Sequence, residues 1–232
     1  MGKTRYPQFC ALARAAELLG ERWTLLIVRE LLLGPKRFTD LRQQLDGITS
    51  SMLTERLKGL EEDGLIGLVR LEPPAASKVY ELTPDGRDLE PIVLNLIRWG
   101  ARFMLPGRPD ERLDAGWIEL VLKACARTSA GPKLAIELRI TDGKRSRAIA
   151  ITRTNKGTEV GSNPHSVDAI ITAPPDTVLA LMTRTMGGRE ALKKGGVKVE
   201  GNRDALAIFP QLFEVELQRK NLAERPNTGG RI

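Results

Sequence analysis

Between residues 34 and 82 two patterns run directly into each other. A compact two-helix pattern begins at Gly34-Pro35-Lys36-Arg37-Phe38-Thr39-Asp40-Leu41-Arg42. It continues through Ile48-Thr49-Ser50-Ser51-Met52-Leu53-Thr54-Glu55-Arg56-Leu57-Lys58. Behind it, 65–70 and 78–82 read as a short β-ribbon joined by a Pro-rich loop. Helix, tight turn, helix and ribbon in this order make a winged helix-turn-helix, whose second helix enters the major groove of duplex DNA. A partner is thus assigned before any chemistry has been identified.

On the helix expected over 50–63, Leu53, Leu57 and Leu60 recur at i, i+4 and i+7 and face inward. The opposite stripe is Ser51, Thr54, Glu55 and Lys58, with Arg56 at its flank. Such hydrogen-bonding groups suit base edges and phosphates. Ser50 or Thr49 caps this helix, and the N–H groups there suit a phosphate. Arg37 and Arg42 before it, and Arg70 and Lys78 on the ribbon, are placed for contacts to the DNA backbone. Alone, the stripe fits a solvated helix face equally well. The full order of elements is what favours DNA.

Helices are also expected over 9–19, 23–33 and 38–45, and Gly64 should cap the one that ends at 63. Thr83-Pro84 pairs an N-cap with an N1 proline and opens a last helix, kinked near its start by Pro91. Its apolar positions Ile92, Val93, Leu96, Ile97, Phe103 and Met104, with Gly100 between, offer a wide face to a partner helix. Leu105-Pro106-Gly107-Arg108-Pro109-Asp110 then reads as a linker. The expected organisation is a winged helix over 1–105, a second domain over 106–220 and a flexible tail over 221–232.

Charge complicates the DNA reading. The net charge is +7, which favours a polyanionic partner, but residues 1–105 carry only +1 of it and the rest +6. DNA binding by the first half must rest on local placement. With 41% hydrophobic and 28% charged residues the chain is expected to be a globular protein of the cytoplasm. No apolar run suits a membrane span or a signal peptide. Cys10 and Cys125 cannot build a disulfide scaffold, and His165, in the polar loop after Ser162-Asn163-Pro164, has no partner for a metal or a catalytic pair. No cofactor, metal or catalytic residue is expected.

After the linker the pattern changes to α+β, a mostly meandering sheet covered by helices on one side. A helix over 116–126 precedes Leu134, Ile136, Leu138 and Ile140, which alternate as a half-buried strand does. Thr141-Asp142-Gly143-Lys144 is a hairpin turn into a strand over 147–153. Further strands are expected over 158–161, 167–172 and 197–200, and helices over 176–185, 189–194 and 203–217.

Two resemblances add to this. Cys10, the run from Ala15 through Gly20-Glu21-Arg22-Trp23 to Leu31, and Gly34 to Leu41 look like the opening of HxlR-type transcriptional regulators. Met52 to Leu57, Tyr80-Glu81-Leu82-Thr83, Gly86 and Trp99-Gly100 continue the likeness. It implies a bacterial winged-helix regulator that forms a homodimer through its first and last helices. Leu12, Ala16, Leu19, Ile92, Val93, Leu96, Ile97, Gly100 and Phe103 are then the dimer-forming residues. In the wing, Pro73-Pro74-Ala75-Ala76-Ser77-Lys78 departs from relatives by lacking an arginine. Cys10 stands where some relatives have an oxidant-sensing thiol. That role needs exposure and a lowered pKa, and an inert packed cysteine is the alternative.

The second half resembles the sterol-carrier-protein-like fold in the strand pair around Asp142-Gly143, Val167-Asp168-Ala169-Ile170-Ile171-Thr172, Gly187-Gly188, Gly195 and Val197 to Asn202. The resemblance implies an apolar cavity for a small lipophilic effector. Its expected lining is Trp117, Leu120, Val121, Ile136, Leu138, Ile149, Ile151, Leu179, Met182, Met186, Phe209 and Phe213. The +6 charge suggests an acidic ligand such as a fatty acid or acyl conjugate. The combined expectation is a DNA-binding regulator with an effector domain. The alternative is a hydrophobe carrier whose winged helix serves mainly for dimerisation, and an enzyme in the second half has no nucleophile and base to support it.

Overall fold

The computed structural model of the chain describes residues 5–72, 77–105, 107–108, 110–141, 146–161 and 166–216. The tip of the wing at Pro73 to Ala76, the turn at Asp142-Gly143, the loop Ser162 to His165, Pro106 and Pro109 of the linker and the tail lie outside the described residues. Contacts divide the chain into two compact units, residues 1–93 and 94–232.

In the first unit, α1 (Ala11–Leu19), α2 (Thr24–Leu32), α3 (Phe38–Gln44) and α4 (Ser50–Glu62) lead into β1 (Ile66–Arg70) and β2 (Lys78–Leu82). The strands pair antiparallel, Ile66 opposite Leu82 and Arg70 opposite Lys78. This is the winged helix expected from the order of patterns. Its core is built from Ile27, Val28, Leu31, Leu41, Leu45, Ile48, Leu53, Leu57 and Leu60, all buried. Glu30 is buried with them at 2% exposure, its carboxylate held 2.7 Å from the Arg29 guanidinium.

Thr83 caps the next turn, accepting the Gly86 N–H at 3.1 Å. The single kinked helix expected here is instead two, α5 (Pro84–Arg87) and α6 (Glu90–Ala101). Pro91 has no N–H to offer the Arg87 carbonyl four residues back, and its ring crowds that carbonyl, so the ladder breaks.

The second unit contains α7 (Ala115–Cys125), β3 (Leu134–Thr141), β4 (Ser146–Thr154), β5 (Gly157–Val160), β6 (Ala169–Ala173), α8 (Pro175–Met182), α9 (Gly188–Lys193), β7 (Lys198–Gly201) and α10 (Asp204–Ile208). Its five strands lie in the order β5-β4-β3-β6-β7. β3, β4 and β5 form the expected antiparallel meander, but β6 crosses over to run parallel to β3 on its other side. Asp168 fastens that junction: its carboxylate accepts the Ala135 N–H at 2.8 Å, and its own N–H donates to the Ala135 carbonyl at 2.8 Å.

Alternating burial along β3 puts Leu134, Ile136, Leu138 and Ile140 against the core and leaves the other face half-open. The long last helix expected over 203–217 stops at Ile208 and tightens into a 3-10 turn, Phe209–Leu212. Pro210 has no N–H to continue an α-ladder. Phe209 and Phe213 meet edge to face across this turn, ring centroids 5.2 Å apart.

Candidate nucleic-acid interface

α4 starts where Thr49 accepts the Met52 N–H at 3.2 Å, which identifies Thr49 rather than Ser50 as its cap. From that start the helical period carries Leu53, Leu57 and Leu60 into the core at 0%, 1% and 3% exposure. Ser51, Thr54, Glu55 and Lys58 consequently lie exposed on the other side, with Ser50 at the first turn. The Thr54 hydroxyl donates to the Ser50 carbonyl at 2.9 Å, so its proton is used within the helix and its oxygen keeps lone pairs that can accept. Lys58 reaches Glu62 at 3.8 Å and stays largely in solvent.

Arg56 does not join this stripe. Its guanidinium turns toward the α1–α2 connection and meets the Glu21 carboxylate at 3.2 Å. Arg37 donates its backbone N–H to Asp40 at 3.0 Å and its Nε to the Ser77 hydroxyl at 3.1 Å, tying the start of α3 to the ribbon. Arg42 is exposed, as are the opposed pair Arg70 and Lys78.

The ribbon is held to the helices by backbone. Lys36 and Tyr80 exchange two hydrogen bonds, at 3.0 and 2.7 Å, so the α2–α3 connection acts as a third short strand. Gly86 sits so close to the Leu65 carbonyl that a Cβ there would lie 1.9 Å from its oxygen. Any side chain would push α5 off the ribbon. Burial, helped by the Glu61 charge, raises the Tyr80 phenol above its ordinary pKa, so it stays a neutral packing group.

Among residues expected to face a partner chain, Leu12 is 77% exposed and its neighbour Phe9 fully so. Ala16 and Leu19 are half-buried on the same helix. On α6, Ile92, Leu96 and Trp99 are exposed, whereas Val93 is 4% exposed and offers nothing to a partner surface. Ile97 packs against its own unit's core, and half-buried Phe103 meets Trp99 edge-on at 5.0 Å, with Gly100 between them. Cys10 is exposed at the residue before α1. Cys125 is buried, and desolvation raises its thiol pKa, Arg98 opposing only in part.

Of the expected effector lining, Val121, Ile136, Leu138, Ile149, Ile151, Met182, Phe209 and Phe213 are packed on one another in a single core, with Leu179 and Met186 against its edge. Leu120 is buried apart from that cluster, and Trp117 is half-buried with the Arg112 guanidinium 5.1 Å from its ring. At the rim, Glu119 accepts from Arg147 Nε at 2.6 Å and lies 3.6 Å from the Lys123 ammonium. Among the described residues no three acidic, His or Cys side chains gather to hold a metal, and no helix is long and apolar enough to cross a membrane.

Sequence reasoning overlooked the pairing of Glu21 with Arg56. No spacing rule links position 21 to position 56. The local sign is Gly20, which caps α1 and leaves Glu21 in the turn that follows.

Residues 18–107 match a family model described as HxlR-like helix-turn-helix, and residues 123–214 match the SCP-2 sterol transfer family. An uncharacterized HTH-type transcriptional regulator of Mycobacterium bovis is 42% identical over 94 residues, 40% of this chain and 59% of that protein. The HTH-type transcriptional regulator YodB of Bacillus subtilis is 35% identical over 107 residues, 46% of this chain and 93% of that protein. Among solved structures, the redox regulator HypR in its reduced form is 33% identical, covers 39% of this chain and 90% of that one, and superposes with a TM-score of 0.37. The chain thus spans 59% of the length of its mycobacterial relative and nearly all of the Bacillus one.

Proposed function

The chain belongs to the HxlR-like helix-turn-helix family of transcriptional regulators, and from that premise we propose how it works. It is a cytoplasmic dimer that reads a roughly palindromic duplex operator with α4 and responds to a small lipophilic effector through its second unit. The observation that carries the DNA reading is the division of α4. Its leucines are buried, while Ser51, Thr54, Glu55 and Lys58 form one exposed, hydrogen-bonding stripe. Lys58, Arg37, Arg42, Arg70 and Lys78 supply cations around it for phosphates.

Salt titration of duplex binding tests this. The logarithm of affinity for DNA upstream of the chain's own gene should fall linearly with the logarithm of salt concentration, and Lys78→Ala should reduce both affinity and slope by about one phosphate contact. Absence of any salt-dependent duplex binding would remove the reading.

The match of the second unit to a sterol-transfer family supports a lipophilic effector. Ile136, Leu138, Phe209 and Phe213 pack together in the core of that unit, where Met182 and Met186 are the adaptable side chains. Binding would alter DNA affinity only as far as it prefers one dimer arrangement, typically by about 1–3 kcal/mol. A carrier function would instead give ligand uptake with no effect on any duplex. Exposed Cys10 is the candidate redox position. Diamide should change duplex affinity in the wild type and leave Cys10→Ser unaffected.

A further inference from the structure

Among the described residues of the first unit, the non-glycine residue at positive φ lies in the connection between α1 and α2. Trp23 sits at φ 78°, in the left-handed region. A bulky aromatic residue persists there only when its surroundings hold it in place. Its indole Nε1 is buried without a hydrogen-bond partner, and the Arg22 guanidinium lies 5.0 Å from the ring. The far edge of the ring approaches Gly47, where a Cβ would lie 3.7 Å from the Trp23 Cη2 atom. Gly47 belongs to the turn that delivers α4.

Two residues earlier in the same connection, Glu21 meets Arg56 on α4 itself at 3.2 Å. The connection therefore lies beside the turn before α4 and pairs with α4 along its shaft. Arg56 is shaped for this grip and poorly for DNA: its side chain is 24% exposed, against 76% for Lys58 on the outward stripe. A partly exposed ion pair contributes little to global stability, yet that is enough to bias the orientation of the two elements it joins.

We propose that Arg56 and Trp23 are positioning residues, which set the angle at which Ser51, Thr54, Glu55 and Lys58 meet a duplex, Arg56 acting through Glu21 without touching DNA. This rests on the reading of α4 as the recognition helix. It identifies a specificity-determining contact that lies off the DNA-facing surface.

Charge exchange in the full chain tests it, with a duplex enriched from a randomised library by the wild type as the probe. Glu21→Arg and Arg56→Glu should each weaken binding about fivefold or more, and the double variant should return to within about twofold with the same preferred sequence. A double variant as weak as Arg56→Glu alone overturns the proposal, because a direct DNA contact cannot be rescued from position 21. Melting curves confirm that each variant is folded, and Glu21→Gln with Arg56→Gln replaces any that is not.

A second readout needs no DNA. In chain labelled with 5-fluorotryptophan, the Trp23 fluorine resonance is assigned by its loss in Trp23→Phe. It should shift in both Glu21→Gln and Arg56→Gln. An unmoved resonance in both would also overturn the proposal. If the wild type enriches no duplex, the DNA reading falls by itself, while the fluorine spectra still decide whether Glu21, Arg56 and Trp23 form one positioning unit.

Discussion

Thr49 contributes one hydroxyl and decides where α4 begins, because it accepts the Met52 N–H that the first turn leaves without a helical partner. Loss of such a cap costs about 1 kcal/mol. Thr49→Ala should lower the urea midpoint accordingly and fray the turn that carries Ser50 and Ser51, while Thr49→Asn keeps both. Glu17 anchors the segment before α1. The Tyr6 backbone N–H at 2.7 Å, and then Arg14 at 2.8 Å, hold its carboxyl pKa below the ordinary value. Because the folded value is the depressed one, the anchoring of Tyr6 is complete above the ordinary carboxylate range. It is lost as pH falls through the folded value. The Tyr6 amide resonance should titrate in that acidic window, and Glu17→Gln should abolish the titration.

Phe209 shows what an element costs when its anchor goes. It is fully buried where α10 tightens into the 3-10 turn, against Phe213 and the core face of the sheet. Phe209→Ala should destabilise the second unit by about 3–5 kcal/mol, read as lost hydrogen-exchange protection along β3. This turn also marks where sequence reading stops. Leu53, Leu57 and Leu60, and the alternation from Leu134 to Ile140, announce a helix face and a strand face because burial follows the backbone period. A period says which side is inward and nothing about what lies there. Hence the α4 stripe was legible, whereas the crossover that sets β6 beside β3, the break at Pro91 and the turn at Pro210 were misjudged. The Glu21–Arg56 pair stayed invisible for the same reason: it joins residues 35 positions apart through tertiary geometry alone.

At the scale of the molecule, the charge division makes sense only if recognition is local. Residues 1–105 carry a net +1, so the proposed reading assigns attraction to the few cations around α4 and the ribbon and discrimination to side-chain chemistry on the stripe. Leu12 and Ile92 in the first unit, and Leu96 and Trp99 in the second, are exposed apolar residues on or beside the helices of the proposed dimer. Leu96→Glu should therefore sediment as a monomer at micromolar concentration and lose affinity for a two-half-site duplex. The central claim, that the outward face of α4 reads sequence, is tested most directly by selecting duplexes from a randomised library with the full chain and with its Thr54→Ala and Glu55→Ala variants. The wild type should enrich a two-fold symmetric sequence, and each variant should relax it at particular base pairs, losing about 1–3 kcal/mol per contact. The same enriched sequence, bound equally tightly by all three proteins, would contradict that claim.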